Sequence, residues 1–435
     1  MSTSSAAATL TWEELADDGS VRRCSARWRS ESGQAPPRRV VIADDTTKAD
    51  AAWRLACEGS ALLWRGDYHN ARQLLQAMAR RADARARKPG RAAKPGKAPA
   101  TPAEAFHLHR MAQAQRARAL GMLLIPFEAG VRIPLRRAPE VAEVVAEAVA
   151  GTADADLAAA PFVMSLRELL GLVGAHEWRR KGVAIPALGE RIHPWYGVYS
   201  PIRGEYLDLI ARAPLPATTL AFDIGTGTGV IAALLARRGV ARVVATDVSP
   251  RALGCAQQNL ARLGLLAGAA ADEGAPGTTS CTIPGAAAPE LQVSAGRVQL
   301  LQADLFPPGR APLVVCNPPW VPAKPSSAIE HAVYDPDSRM LRGFLVGLAA
   351  HLTSDGEGWL ILSDLAEHLG LRPRAQLLGW IADAGLQVRG KIDVRPHHPK
   401  AADSSDPLHA ARAAEVTSLW RLGVRQGACA LSQTD

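Results

Sequence analysis

Short apolar runs alternate with helical stretches along the second half of the chain, from about residue 215 onward. The predicted strands are 220–224, 242–245, 298–301, 313–316, 359–362, 386–392 and 416–422. The predicted helices are 230–238, 251–263, 338–352 and 375–384. Strands that alternate with helices in this way are typical of an α/β fold with a mostly parallel, doubly wound sheet.

The first 194 residues have a less regular pattern, which predicts a mixed, largely helical region. Asp50 is a plausible N-cap for the first helix, because a short polar side chain there can accept a backbone N–H bond. A proline at position 102 suits the first turn of a later helix. The predicted elements are a strand at 39–43 and helices at 51–81, with a break near Gly66-Asp67, and at 102–122, 139–150 and 164–174.

The length of the chain, 435 residues, exceeds one ordinary hydrophobic core, so we expect more than one domain. We predict an N-terminal α/β or helical region at 1–81, a basic flexible linker at 82–103 and a helical or mixed accessory region at 104–194. A doubly wound domain at 195–425 follows. Within that domain, 267–296 and 395–414 are predicted to be surface loops because they lack a helical or strand pattern.

The positive charge is concentrated in one segment. The net charge is +8, and residues 80–97 hold eight Lys or Arg residues against one Asp. The Ala, Pro and Gly content of this segment suits a solvated linker, whereas its charge would also suit an arm that contacts nucleic-acid phosphates. Both interpretations are open from the sequence.

Several classes of protein do not fit the composition. No apolar run approaches the ~18 residues that a membrane-spanning helix needs. The N-terminus has acidic residues and no apolar core of a signal peptide, so we expect a cytoplasmic protein with no membrane partner. The six cysteines form no C-x-x-C pair. Neither they nor the histidines at 397, 398 and 409 have metal-ligand spacing, so no metal site is predicted.

A glycine turn follows the first strand of the doubly wound domain, where residues 223–229 read DIGTGTG. Gly225, Gly227 and Gly229 permit a tight turn and a close approach of the backbone to a ligand. The carboxyl end of a central strand, facing the start of a helix, is where such folds bind cofactors. Asp223 stands directly before the glycines.

Two cofactor classes fit this turn. Gly227-x-Gly229-x-x-Ala232 satisfies a loose dinucleotide pattern, and Asp247 after the second strand would accept hydrogen bonds from a ribose in either class. An acidic residue before the glycines favours S-adenosylmethionine, which carries an amino group and a sulfonium that Asp223 would attract. Asp304, after the third strand, is placed to contact the adenine amine.

A second motif, Asn317-Pro318-Pro319-Trp320, follows the predicted strand at 313–316. The prolines stiffen the turn and remove donors, so its carbonyl groups are available as acceptors. The Asn317 side-chain oxygen and the Pro318 carbonyl can both accept hydrogen bonds from one NH2 group, and Trp320 offers a flat face for stacking. This arrangement suits a planar amide or the exocyclic amine of a base.

With both motifs in place, residues of about 195–425 resemble class I S-adenosylmethionine-dependent methyltransferases of the N-P-P-[FYW] amino-methyltransferase type. The run LQADLFPP with VVCNPPW is most similar to the HemK-like glutamine N5-methyltransferases of release factors. It also satisfies the signature of N6-adenine methyltransferases. Trp320 stands where the release-factor enzymes usually have Tyr. The segment at 196–205 resembles one that closes over the cofactor.

The resemblance implies a Rossmann-like sheet of seven strands with the last antiparallel. It also implies roles for the site residues. Asp223 and the three glycines would cradle the methionine end of S-adenosylmethionine, Asp247 would bind the ribose and Asp304 would lie near the adenine. Asn317 and Pro318 would bind the target nitrogen, with Trp320 beside them.

The expected function is N-methylation of a macromolecule at a planar nitrogen. The acceptor would be a protein glutamine amide, for example in a release or ribosomal factor, or alternatively an exocyclic adenine N6 or guanine N2 amine in RNA or DNA. A nicotinamide-dependent oxidoreductase and a catalytically silent binding module are the rivals. The oxidoreductase has no use for Asn317 to Trp320, and folding alone does not demand all the motif residues. The sequence leaves the oligomeric state open.

Overall fold

The structure is a computed structural model that describes residues 8–15, 18–87, 101–149, 156–267, 297–325, 329–396, 403–404 and 406–425. Among these residues, no helix combines the length and apolar character needed to cross a membrane. The described chain contains two large β-sheets, one in each half, and helices pack against both.

The N-terminal half contains a mixed six-stranded sheet. Its strands are β1 (Thr9–Leu15), β2 (Val21–Arg29), β3 (Arg39–Ala43), β4 (Ser60–Trp64), β5 (Leu123–Phe127) and β6 (Phe162–Ser165). They lie in the order β1-β2-β6-β5-β4-β3. The outer strands β1 and β3 contact each other, so the sheet curls round a small core that includes Leu10, Leu63 and Val163.

Five helices accompany this sheet: α1 (Ala49–Cys57), α2 (Tyr68–Arg87), α3 (Pro102–Gly121), α4 (Ala142–Val149) and α5 (Leu166–Lys181). A second, larger core lies between the sheet and the helices and includes Trp64, Met78, Phe127 and Leu169. The residues of this core come from both of the regions predicted at 1–81 and 104–194. These two regions therefore share one sheet and one core, which corrects the predicted division between them.

The prediction of a mixed, largely helical N-terminal region missed five of the six strands of this sheet, namely β1, β2, β4, β5 and β6. Every residue of β4, β5 and β6 is buried, so none shows the alternation of polar and apolar positions that marks a half-exposed strand. The predicted helix at 51–81 is in fact α1, β4 and α2 in succession. Lys48 rather than Asp50 is the N-cap of α1, and the Asp50 carboxylate accepts a hydrogen bond from Arg81 Nε at 2.5 Å.

The predicted linker at 82–103 is shorter than expected. Helix α2 continues to Arg87, and the Thr101 hydroxyl caps α3 by accepting a bond from the Glu104 amide at 3.2 Å. The residues between them, 88–100, lie outside the described part of the chain, as do 268–296 and most of 397–405. The second predicted loop, 395–414, ends in a helix at His409–Ala414.

The C-terminal half holds a seven-stranded sheet, as the resemblance implied. After a short hairpin of β7 (Val183–Ile185) and β8 (Glu190–Ile192), its strands are β9 (Leu220–Ile224), β10 (Arg242–Asp247), β11 (Val298–Gln302), β12 (Ala311–Cys316), β13 (Leu352–Ser363), β14 (Leu386–Val394) and β15 (Thr417–Val424). The order is β11-β10-β9-β12-β13-β15-β14, and only the pairings of β15 are antiparallel.

Helices cover both faces of this sheet. They are α6 (Glu205–Arg212), α7 (Val230–Arg237), α8 (Pro250–Arg262), α9 (Arg339–His351), α10 (Leu365–His368), α11 (Arg374–Asp383) and α12 (His409–Ala414). Alternate residues of the central strands enter opposite cores: Ala221 packs in one and Phe222 in the other. The predicted strands and helices of this half are confirmed to within a few residues, except that β13 begins at Leu352. Strands β7 and β8 and helices α6, α10 and α12 were not predicted.

Candidate active site

A cavity of about 1880 Å³ opens at the carboxyl edge of the seven-stranded sheet. Its wall includes 225–228 after β9, 247–249 after β10, 303–305 after β11 and 317–321 after β12. A pocket for one small molecule usually measures about 300–1,000 Å³. The volume is therefore sufficient for two ligands side by side, such as a cofactor and an acceptor group.

Strand register brings the two motifs together. In the parallel pairing of β9 with β12, Ile224 lies opposite Cys316. Because Gly225 follows the first strand and Asn317 follows the second, the glycine turn and the Asn-Pro-Pro-Trp turn leave the sheet side by side. Both line the cavity.

Asp223 supports the glycine turn from inside the protein. The residue is fully buried, and its Oδ2 accepts bonds from the Thr226 hydroxyl at 2.6 Å and the Ala232 amide at 3.1 Å. Burial raises the pKa of this carboxyl to about 7. Its Oδ1 is buried and makes no hydrogen bond within the described structure. Asp223 does not line the cavity wall, so the geometry assigns it to the turn rather than to the direct contact that we expected.

The glycine turn is a backbone cradle that side chains would fill. Gly225 has φ +73°, and a Cβ there would lie 2.5 Å from Cε of Met340. Gly229 has φ +80°, and a Cβ there would lie 3.3 Å from Cα of Ala256 on α8. Positive φ favours glycine at both positions, and at Gly229 the backbone of α8 also lies close. The smooth wall that results fits the close approach of a cofactor.

Asp247 joins the turn to the next strand. Its Oδ2 accepts a bond from the Gly227 amide at 3.0 Å, and its Oδ1 accepts one from the Ser249 amide at 2.9 Å. Burial raises its pKa despite these bonds. Each carboxylate oxygen has further acceptor capacity, and the side chain lines the cavity. Hydroxyl groups of a ribose fit this pair of acceptors.

Asp304 also lines the cavity but lies at its exposed rim. Its carboxylate pairs with Arg339 at 3.4 Å, and both side chains are largely exposed. An exposed pair of this kind contributes little to stability. Asp304 is thus available to a ligand that enters from solvent, and the structure brings it to the same cavity as Asp247.

In the second motif, Trp320 Nε1 donates a hydrogen bond of 2.9 Å to Asn317 Oδ1. Two arginines, Arg372 and Arg203, also contact Trp320. Its carbonyl oxygen accepts a bond from Nη2 of Arg372 at 3.1 Å. The guanidinium of Arg203 lies 5.6 Å from the centre of its ring and makes two bonds, of 2.8 and 3.2 Å, to the buried carboxylate of Glu415. Trp320 is therefore oriented by three separate elements of the domain.

Sequence reasoning missed the contribution of the N-terminal half to this cavity. The turn at 29–33 after β2 lines it, as do Phe106 and Arg110 of α3. Arg251 beside the cofactor wall donates to the Ala148 carbonyl at the end of α4. No motif marks these residues, because their role depends on contacts between segments far apart in the chain.

Residues 221–276 match the family model of a methyltransferase domain. This match contains the glycine turn and Asp247, the two parts of the cavity that fit a cofactor. The chain carries an S-adenosylmethionine-dependent methyltransferase domain. Within the described residues, this methyltransferase domain has no cluster of three or more side chains suited to hold a metal ion.

Curated methyltransferases are similar to parts of this chain. A release factor glutamine methyltransferase of Cereibacter sphaeroides is 29% identical over 224 residues, which cover 48% of this chain and 65% of that protein. One of Moorella thermoacetica is 37% identical over 113 residues, covering 25% and 29%. A ribosomal protein L11 methyltransferase of Pelotomaculum thermopropionicum is 34% identical over 113 residues, covering 26% and 27%. The chain spans less than two thirds of the length of each.

Proposed function

We propose that the protein transfers the methyl group of S-adenosylmethionine to a planar nitrogen of a macromolecule, and that this nitrogen is the amide of a protein glutamine. One observation carries the proposal. The β9–β12 register sets a turn fit for a cofactor beside a turn fit for an NH2 group, in one cavity. The bound donor supplies a methyl carbon attached to a positively charged sulfur.

On the cofactor side, the protein's part is to bind and orient. The glycine turn at 225–229 would accommodate the methionine end of the donor, supported from behind by Asp223. Asp247 would accept bonds from the ribose, and Asp304 would contact the adenine amine at the rim. The carboxyl groups of Asp247 and Asp304 also favour a cationic ligand at this end of the cavity. These assignments follow the positions of the side chains at the cavity wall.

On the acceptor side, Asn317 Oδ1 and the Pro318 carbonyl would accept the two N–H bonds of the target. The nitrogen of an amide is a poor nucleophile because its lone pair is delocalised. Two acceptors in fixed positions draw that lone pair out of conjugation and stabilise the positive charge that develops during transfer. Fixed orientation toward the methyl carbon supplies a further part of the rate. No general base is needed before transfer in this scheme.

The choice of a protein glutamine rests on two supports. Two of the curated relatives are named as release factor glutamine methyltransferases. A third is named for methylation of a ribosomal protein. A glutamine side chain also presents the planar NH2 group that the Asn317 turn suits. A base amine in RNA or DNA presents the same group, so it is the competing outcome of the test.

The test is transfer of labelled methyl from S-adenosylmethionine into an extract of cells that lack this gene. The extract is then divided between protease and nuclease digestion. Label that protease releases, and that peptide mapping places on a glutamine, is the expected result. Label that nuclease releases would replace glutamine with a base amine as the acceptor. The Asn317→Ala variant is the matched control, and equal label with this variant would contradict the proposed role of the turn.

A further inference from the structure

Helix α3 belongs to both halves of the protein. Near its beginning, Phe106 is buried in a small core with Val321, Leu369 and Leu408 of the methyltransferase domain. In the second half of the helix, Arg116 pairs with Asp83 of α2 at 2.8 Å. The helix therefore leads from the N-terminal domain to the acceptor side of the cavity.

The segment that α3 meets follows Trp320 directly, and we name residues 321–325 and 329–335 the acceptor loop. Two backbone hydrogen bonds join the beginning and the end of the acceptor loop, next to the turn at 317–320. Val321 N–H donates to the Val333 carbonyl at 3.2 Å, and Asp335 N–H donates to the Val321 carbonyl at 2.9 Å. Any shift of the loop is thus transmitted to the residue that adjoins Trp320.

Arg110 of α3 holds the acceptor loop by three different contacts. Its guanidinium makes two bonds to the Glu330 carboxylate, at 3.0 and 3.1 Å, and a third to the Lys324 carbonyl at 2.8 Å. The same group lies 4.0 Å from the centre of the Tyr334 ring. Arg110, Glu330 and Tyr334 all line the cavity.

This combination of contacts requires arginine. A planar guanidinium can bind a carboxylate with two parallel bonds, donate to a carbonyl and stack on an aromatic ring at once. The ammonium of lysine keeps the charge but not the fork or the flat face. The Arg110 side chain is about four-fifths buried, since only 20% of it is exposed, so solvent screens these contacts weakly.

We propose that Arg110 is a positioning residue that sets the acceptor loop against Asn317 and Trp320, so that acceptor binding depends on the N-terminal domain. The proposal rests on the proposed function for the statement that this loop borders the acceptor. Arg110 acts through the loop and takes no part in the methyl transfer itself. Its loss should therefore alter the loop and the acceptor, and leave the cofactor site unchanged.

The experiment compares the full-length wild type with Arg110→Lys and Glu330→Gln. Arg118→Lys is the matched control, because Arg118 is exposed, lies on the same helix and does not line the cavity. Hydrogen exchange is measured at the amides of Val321, Val333 and Tyr334. Loss of a bidentate charged contact should accelerate this exchange about tenfold or more in the first two variants. The control should exchange as the wild type does.

Two solution measurements complete the test. The affinity for S-adenosylhomocysteine should stay within about twofold of the wild type, whereas KM for the methyl acceptor should rise about tenfold. Unchanged exchange in Arg110→Lys, or a KM that does not move while exchange accelerates, would overturn the proposal. Failure of the proposed function is seen separately, since the wild type itself would then label no acceptor. The exchange measurement still decides whether Arg110 holds the loop.

Discussion

The indole N–H of Trp320 donates a hydrogen bond of 2.9 Å to Oδ1 of Asn317. An indole nitrogen can only donate, so this contact identifies which end of the Asn317 amide is the oxygen. The oxygen has two lone pairs, and Trp320 occupies one of them. Phenylalanine or tyrosine at the same position has no ring N–H. With tryptophan there, a hydrogen bond within the motif orients the Asn317 side chain.

The Trp320→Phe variant should keep an aromatic ring and lose only this hydrogen bond. Asn317 would then be free to rotate, and part of its orientation would be lost. We expect turnover to fall about tenfold, a cost of roughly one hydrogen bond, with unchanged affinity for S-adenosylhomocysteine. Steady-state kinetics and calorimetric titration measure the two quantities. Trp178→Phe is the control, because Trp178 is half-exposed on α5 and outside the cavity. Equal turnover in both variants would contradict the orienting role.

Replacing Asn317 itself should have a larger effect. Asn317→Ala removes the acceptor that we propose acts on the target nitrogen in the transition state, and we expect turnover to fall by about 10²-fold or more. The affinity for S-adenosylhomocysteine should change little, because the glycine turn and Asp247 remain intact. Rapid-mixing measurement of a single turnover separates transfer from product release. A variant with full single-turnover rate would exclude Asn317 from the chemistry.

Asp247 should govern cofactor affinity instead. Both of its carboxylate oxygens accept backbone N–H bonds, from Gly227 and Ser249. In Asp247→Asn, an NH2 group must face one of these donors, which costs about 1–3 kcal/mol and displaces the turn. The dissociation constant for S-adenosylhomocysteine should rise about 10–100-fold. Asp355→Asn, an exposed change on β13, should leave it unaltered. Equal constants for the two variants would remove Asp247 from the cofactor site.

The buried Asp223 should make stability depend on pH. Its pKa is about 7 in the folded protein, against 3.8 for an unperturbed Asp. Between these values the unfolded chain binds fewer protons than the folded one, so stability falls as pH rises from about 4 to about 7. The free energy of unfolding should fall by at most on the order of 4 kcal/mol over this pH range.

The Asp223→Asn variant should not show this loss, since its side-chain oxygen can still accept from Thr226 and Ala232. Other titrating groups are present in both proteins and cancel in the comparison. Thermal melting of the ligand-free proteins from pH 4 to pH 8 provides the measurement. The variant should gain stability relative to the wild type as pH rises from about 4 to about 7, and the difference should stay constant above that. A difference in Tm that is the same at pH 5 and pH 8 would be inconsistent with a raised pKa.

The two halves of the chain differ in how far their fold could be predicted. In the C-terminal half, most strands of the sheet are followed by a helix, so local patterns located the elements of the sheet. In the N-terminal half, strands β4, β5 and β6 are buried on both faces and carry no alternation. A short apolar run of that kind has the same pattern in a buried helix, so pattern alone could not assign them.

The residues of the candidate site also include some that could be predicted from the sequence and some that could not. Residues in contiguous motifs, such as Gly225, Asp247 and Asn317, were predicted because their spacing carries a chemical reason. Arg110 and the turn at 29–33 could not be predicted, since only folding brings them to the cavity. Asp223 was predicted to contact the cofactor, whereas the structure buries it behind the turn. Sequence shows which residue is exceptional more readily than which way its side chain faces.

Because the start of α3 packs on the methyltransferase domain, the border between the two halves has no single position along the chain. A protein cut at residue 195 would expose Val321, Leu369 and Leu408, which Phe106 covers in the full chain. Chimeras that graft this catalytic domain onto another N-terminal region would therefore need to carry the first turns of α3 with it. The helix and the acceptor loop constitute one module for engineering, although about 200 residues of sequence separate them.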